Sequence, residues 1–277
     1  MNELLLYVEI LLPALIAGLL ILLTHIPLGA KVLAKGIIFF DLAIAQLAAF
    51  GVVLSALWLD IAQEQWLIQS IAVCTALLGA CFLYYLRTFS VKHQEAVIGI
   101  IFLLSSTGVL LVLTKDPQAH DTFQQLMLGQ ILWVGYQDIA YLMVFTTLIA
   151  FFWVVLKRWN EEMAFYVAFA LAVTMSTQFI GVYLVFASLI IPALGSQKAS
   201  NKWFTASCIG VFGYLVGLLV SALFDLPSGA LISWCMVLIS GVFLVLNSSG
   251  SIVSVRDEGE RRRSHSNSHC IEKRPPE

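Results

Sequence analysis

The sequence predicts an all-α, polytopic membrane helical bundle, and three observations predict it. Hydrophobic residues form 60% of the chain against 12% charged, mean hydropathy is +0.91, and long apolar blocks alternate with short polar breaks. A helix needs about 20 apolar residues to cross a bilayer. Seven blocks meet that length and are read as full spans: 4–23, 36–59, 66–86, 96–113, 139–156, 203–224 and 228–246.

The first block follows Met1 with neither a basic n-region nor a small-residue cleavage site, so it reads as a retained helix rather than a signal peptide. The second, GIIFFDLAIAQLAAFGVVLSALWL, carries Asp41 within it. An ionised group near mid-bilayer costs roughly 2.5–3.5 kcal/mol and persists where it faces a bundle interior or a wet path. Asp41 is therefore the first candidate functional residue, set against a carboxylate near a helix end that only bonds a neighbouring helix. The third and fourth blocks follow, with Glu95 beside Lys92 and His93 expected to cap an interfacial helix start. His25, His93 and His120 are placed at block ends or in loops.

Segment 122–134 is apolar but short and carries Gln124, Gln125 and Gln130, which suits an interfacial or partly inserted helix. Beyond the fifth block lies 164–194, about thirty residues, too long for one upright helix and too short for two complete ones. Charge bias arbitrates. With the N-terminus outside, Lys31, Lys35, Arg87, Lys92, Lys157 and Arg158 fall inside, and two short arms turning at 178–181 keep Lys198, Lys202 and the Arg-rich tail inside as well. A compressed or re-entrant hairpin is expected there, giving eight or nine segments in all. In the sixth full block Gly213 and Gly217 stand at small-xxx-small spacing, which predicts close helix contact. The expected division is a transmembrane domain over 1–250 and a disordered, charged, cytoplasmic tail over 251–277.

Several chemistries are absent from the sequence. There is no GxxxxGK[ST] phosphate loop, so ATP-driven work would need a partner, and no HExxH or GxSxG, which argues against an embedded hydrolase. Nothing resembles a nucleic-acid binder. Cys74, Cys81, Cys208 and Cys235 lie in apolar blocks as packing residues. Asp41 and Gln46 offer hard oxygen donors suited to a divalent cation yet short of a full ligand set, and Gln46 serves equally as an interhelical hydrogen-bonding residue. The tail pattern HSNSHC reads as a solvated stretch rather than a metal site.

Four stretches then carry a resemblance: KGIIFFDLAIAQ at 35–46, LMLGQILWVGYQDI at 126–139, FIGVYLVFASLIIPAL at 179–194 and SALFDLPSGALI at 221–232. In this order they resemble the permease subunits of the metal-ion (zinc, manganese, iron) ABC importers, of the metal and vitamin B12 importer fold type. The resemblance implies a bacterial inner-membrane permease that forms a homodimer in lipid, works with a separate ABC ATPase and an extracytoplasmic metal-binding protein, and holds no permanent cofactor beyond the transported divalent ion. It carries the family's metal-contacting carboxylate onto Asp41. The histidine four residues on is Ala45 here, and the acidic residue of the second stretch is Gln130. The family's cytoplasmic coupling segment is shorter in this chain, and docking is expected on the stretch that includes Glu161, Glu162 and Ala164. A proton-coupled secondary transporter working through Asp41, and a membrane scaffold or sensor using the tail, are the alternative readings.

Overall fold

The structure is a computed structural model that describes residues 2–58, 65–89, 94–113, 127 and 131–245. Eight helices make up the described residues: α1 Asn2–Lys35, α2 Phe40–Trp58, α3 Gln65–Phe89, α4 Gln94–Leu113, α5 Tyr136–Lys157, α6 Glu161–Gly195, α7 Lys202–Phe224 and α8 Ser228–Val245. Each of the seven expected blocks corresponds to one helix of its own over its described residues, the second from Phe40 onward. The tail, 251–277, and Gln124, Gln125 and Gln130 lie outside the described residues. Of segment 122–134, Met127 is buried and the 3-10 turn Ile131–Trp133 packs on α1.

Helix α1 runs well past the first block, because the polar pair that ends the block bonds within the helix. Thr24 Oγ1 donates to the Ile21 carbonyl at 2.9 Å, and His25 Nδ1 lies 3.0 Å from the same oxygen. His25 is thus fully buried inside α1, not at its end. The helix closes where Gly36 takes φ 67°: Gly36 N–H donates to Leu33 and Ile37 N–H to Val32, the paired bonds of a Schellman cap. Helix α2 consequently starts at Phe40, four residues after the block begins, which puts Asp41 in its first turn rather than near mid-bilayer.

Helix α6 starts on an N-cap: the Asn160 side chain accepts from the Glu162 and Met163 amides. It is broken once, at Gly181, with φ 77° and ψ 160°. Its two ends meet the same end of α1. Glu161 reaches Lys31 at the start, while Ala193, Ser196 and Gln197 share a cavity with Ala30, Leu33 and Ala34 at the finish. The chain therefore goes out and comes back, turning within the range 178–181. The first arm, 161–180, is roughly 30 Å long and crosses fully, and the shortening falls on the second arm, 182–195, at roughly 21 Å.

This hairpin is the centre of the bundle, packing on α1, α2, α3, α5 and α7. Most of its residues are buried, whereas α4 buries only Ile98, Ser105 and Val109 and α5 only Ile139, Leu142 and Ile149, so those peripheral helices face the surroundings and α6 carries the core. Close approach to α1 uses Gly29, where a Cβ would stand 1.9 Å from the Leu189 carbonyl oxygen. Helix α7 packs antiparallel to α1, with Tyr214 against Gly18 and Leu22 against Gly210. The turn between α7 and α8 is made by Asp225 at φ 52°. Helix α8 then lies on α7 through Gly213 and Gly217, which meet Met236 and Ile232, the close contact that the glycine spacing predicts.

Candidate functional site

Asp41 is 1% exposed, and neither carboxylate oxygen has a hydrogen-bond partner. The Phe40 ring beside it sits 4.7 Å from Phe169 and 5.1 Å from Tyr166, which seals the end of α2 against the first arm of α6. An unpaired buried carboxylate is expensive, and the unbonded amides of a first helical turn favour an anion there. A bare carboxylate so placed attracts a cation strongly and holds it through one residue only.

Helical geometry puts Ala45, Ala48 and Val52 on the Asp41 face. Beyond Asp41, which does not line it, Ala45, Ala48 and Val52 face a largely apolar cavity of about 30 Å³ between α2, α3 and α6, with Thr174, Thr177 and Gln178 on its other wall. Gln46 points elsewhere: it lies about 140° round α2 from Asp41, with Nε2 3.5 Å from Met127 Sδ and Oε1 unpartnered. The structure thus keeps Asp41 and Gln46 on different faces. Among the described residues no three His, Cys, Asp or Glu side chains cluster to hold a metal. Further ligands at Asp41 would be hydroxyl, amide, backbone or water oxygens.

The Lys-rich end of the bundle holds the other expected residues. Lys31 Nζ bonds Glu161 at 2.8 Å and Lys35 Nζ bonds Glu162 at 2.6 Å, with Lys157 at 4.0 Å from Glu161. Lys31 also lies 4.8 Å over the Trp153 ring and Lys35 5.2 Å over that of Phe165. Both glutamates therefore face lysines of this same chain, and Ala164, 1% exposed, is packed inside. What this end offers outward is the α5–α6 corner, where Trp159 is 91% exposed.

Sequence reasoning missed two buried polar positions. His25 Nδ1 carries the proton it donates to Ile21, so Nε2 is a bare acceptor without a partner. Thr174 Oγ1 is likewise buried and unpartnered. A histidine between two apolar runs was the available signal for the first; nothing in the sequence separates Thr174 from Thr177.

A central re-entrant hairpin, a ring of membrane-length helices and one bare buried carboxylate define a multi-pass membrane permease. The chain belongs to the ABC 3 transport family, which it matches over residues 7–161 and 160–248. Its fold is similar to that in PsaBC from Streptococcus pneumoniae in complex with Fab, at TM-score 0.64 and 21% identity, covering 86% of this chain and 91% of that one. It is also similar to a chain described as a metal-chelate type ABC transporter in an inward-facing conformation, at TM-score 0.60 and 16% identity, covering 84% and 85%. An uncharacterised membrane protein of the ycf23–apcF intergenic region of Cyanophora paradoxa is 24% identical over 205 residues, 65% of this chain and 69% of that protein.

Proposed function

We propose that this chain is the permease subunit of an ATP-driven importer for a divalent transition metal ion, zinc, manganese or iron, in the bacterial inner membrane. The observation that carries the reading is Asp41: a carboxylate buried without a partner is costly to the fold and is explained by a transient cationic ligand. Family membership supports the import class, and the metal-chelate type transporter among similar folds supports a metal cargo.

In this reading an extracytoplasmic protein delivers the ion to a path formed by two copies of the chain in lipid, and a separate ABC ATPase opens it. The chain itself does no ATP chemistry and holds no permanent cofactor. Asp41, in the first turn of α2, would act at the Lys-rich end, which charge bias assigns to the cytoplasm, so it would attract the ion late in its passage and release it inward. Docking of the ATPase would use this end, with Glu161 and Glu162 held by Lys31 and Lys35 and the Trp159 corner outward.

The test is accumulation of radiolabelled manganese, zinc and iron in cells lacking their other uptake systems, with the chain coexpressed with its ATPase and binding protein. Accumulation of at least one ion that stops when the ATPase is inactivated is expected. Uptake that continues with an inactive ATPase and follows the proton gradient would replace this reading with a secondary transporter.

A further inference from the structure

The lysines at the Lys-rich end divide into two groups. Lys31, Lys35 and Lys157 stand against Glu161 and Glu162. Lys198, in the turn after the hairpin, and Lys202, at the start of α7, are both exposed, and neither has an acidic partner among the described residues. No Asp or Glu follows Glu162 in α6, and none lies in α7. The positive charge on this side of the bundle is therefore left uncompensated by the helices that carry it.

Beside these lysines two cavities run together along α1. The first, about 310 Å³, lies between α1, the second arm of α6 and α7; its apolar lining is largely alanine, as at Ala30, Ala193 and Ala206, and its polar lining is Ser196, Gln197 and Lys202. The second, about 430 Å³, continues between α1 and α7 over Leu19, Leu23, Pro27 and Val211. Ile26 and Trp203 line both, so the two form one groove. Along α1 it extends from Ile16 to Ala34, roughly 27 Å, which exceeds half of the roughly 30 Å hydrocarbon core. The groove is thus polar and cationic at one end and apolar over the depth of a leaflet.

We propose that this groove holds one anionic phospholipid of the cytoplasmic leaflet, its phosphate at Lys202 and the Gln197 amide and an acyl chain laid between α1 and α7. Bulk lipid covers any apolar helix face; what distinguishes this one is the pair of unpaired lysines at its polar end, and basic pockets between spans on the cytoplasmic side take anionic headgroups. Lys202 lines the groove with its stem while its ammonium reaches the interface, and Trp203, 60% exposed between the two cavities, stands where an indole favours the lipid–water boundary. Ser196 only shapes the wall, since its hydroxyl donates to the Ala193 carbonyl. A second copy docked here about a two-fold axis would bring its own Lys198 and Lys202 to the same end of the interface, like charge against like. The proposal does not depend on what the permease carries.

The experiment titrates the purified full chain in detergent with phosphatidylglycerol or with phosphatidylcholine of identical acyl chains and counts the retained lipid by native mass spectrometry. Half-saturation by phosphatidylglycerol is expected at about tenfold lower concentration or less. Lys198→Gln combined with Lys202→Gln should abolish that preference and leave phosphatidylcholine retention unchanged, whereas Lys157→Gln, outside the groove, should keep it. Ser207→Phe, which fills the apolar part from α7, should reduce retention of both lipids. Inorganic phosphate at the same concentration should displace neither, because it makes no acyl contact. Equal half-saturation by the two lipids in the wild-type chain would overturn the proposal, and this comparison decides the matter if the double variant fails to fold. A preference that survives in a folded double variant would overturn it as well. So would displacement by inorganic phosphate, which would make this a site for a free anion, or unchanged lipid retention in a Ser207→Phe chain that has passed from dimer to monomer, which would give the groove to a second copy.

Discussion

Replacing Gly181 by alanine tests the element on which the whole topology turns. At φ 77° and ψ 160° the residue sits in a region that is essentially glycine-only, and a side chain held there costs about 1–3 kcal/mol. Both arms are fixed at the Lys-rich end, the first by Glu161 on Lys31 and the second by Leu189 against Gly29, so the turn cannot relax without unpacking one of them. At about 2–4 °C per kcal/mol for a domain of this size, Gly181→Ala should lower the melting midpoint in detergent by roughly 2–12 °C, read by fluorescence-detected size exclusion. Gly99 supplies the control, because it lies within α4 and a Cβ there meets nothing within 4 Å. Gly99→Ala should stabilise by about 0.5–1 kcal/mol through helix propensity. The same substitution thus carries opposite signs at two glycines. A Gly181→Ala protein as stable as wild type would refute the turn, and with it the return of the chain to the Lys-rich end.

Other predictions follow from single contacts. Gly29→Ala would put a methyl 1.9 Å from the Leu189 carbonyl oxygen and should cost about 3 kcal/mol in the same melting assay; a neutral effect would mean that α1 and the second arm are further apart. A double-mutant cycle of Lys31→Ala and Glu161→Ala should give only a weak coupling, because the side chains are 30% and 59% exposed, and it should shrink at high salt; a strong, salt-independent coupling would mean that the pair is buried. A single cysteine at Ser200, with the native five replaced, should resist an impermeant thiol reagent on intact cells, since Ser200 lies in the turn between the hairpin and α7; labelling there would invert the sidedness.

What could be read from the sequence was set by the bilayer. Span-length apolar blocks mark helices wherever burial in lipid rather than tertiary detail selects the residues, and the length of 164–194 combined with the lysine bias foretold a hairpin turning within 178–181, which the break at Gly181 meets, though only the second arm is short. Helix ends were less legible. Thr24 and His25 read as a boundary, yet their bonds to Ile21 keep α1 intact, and the left-handed Gly36 then delays α2 so that Asp41 stands at a helix start. The pairing of Lys31 with Glu161 joins residues 130 apart in sequence, and no local pattern announces it. Gln46 looked like a companion to Asp41 from proximity along the chain, whereas helical rotation turns it toward Met127. Thr174 is ordinary in sequence and becomes unusual only once its hydroxyl is seen without a bond.

The central claim is that the unpartnered carboxylate of Asp41 draws the transported ion. Asp41→Asn keeps the shape and removes the charge, and by relieving a buried unpaired carboxylate it should leave the protein as abundant and at least as thermally stable as wild type. Measured in coexpressing cells at matched membrane abundance, ATPase-dependent metal accumulation by this variant should fall to the level of cells without the chain. Accumulation at the wild-type rate would contradict the account and reduce Asp41 to a structural residue at the start of a helix.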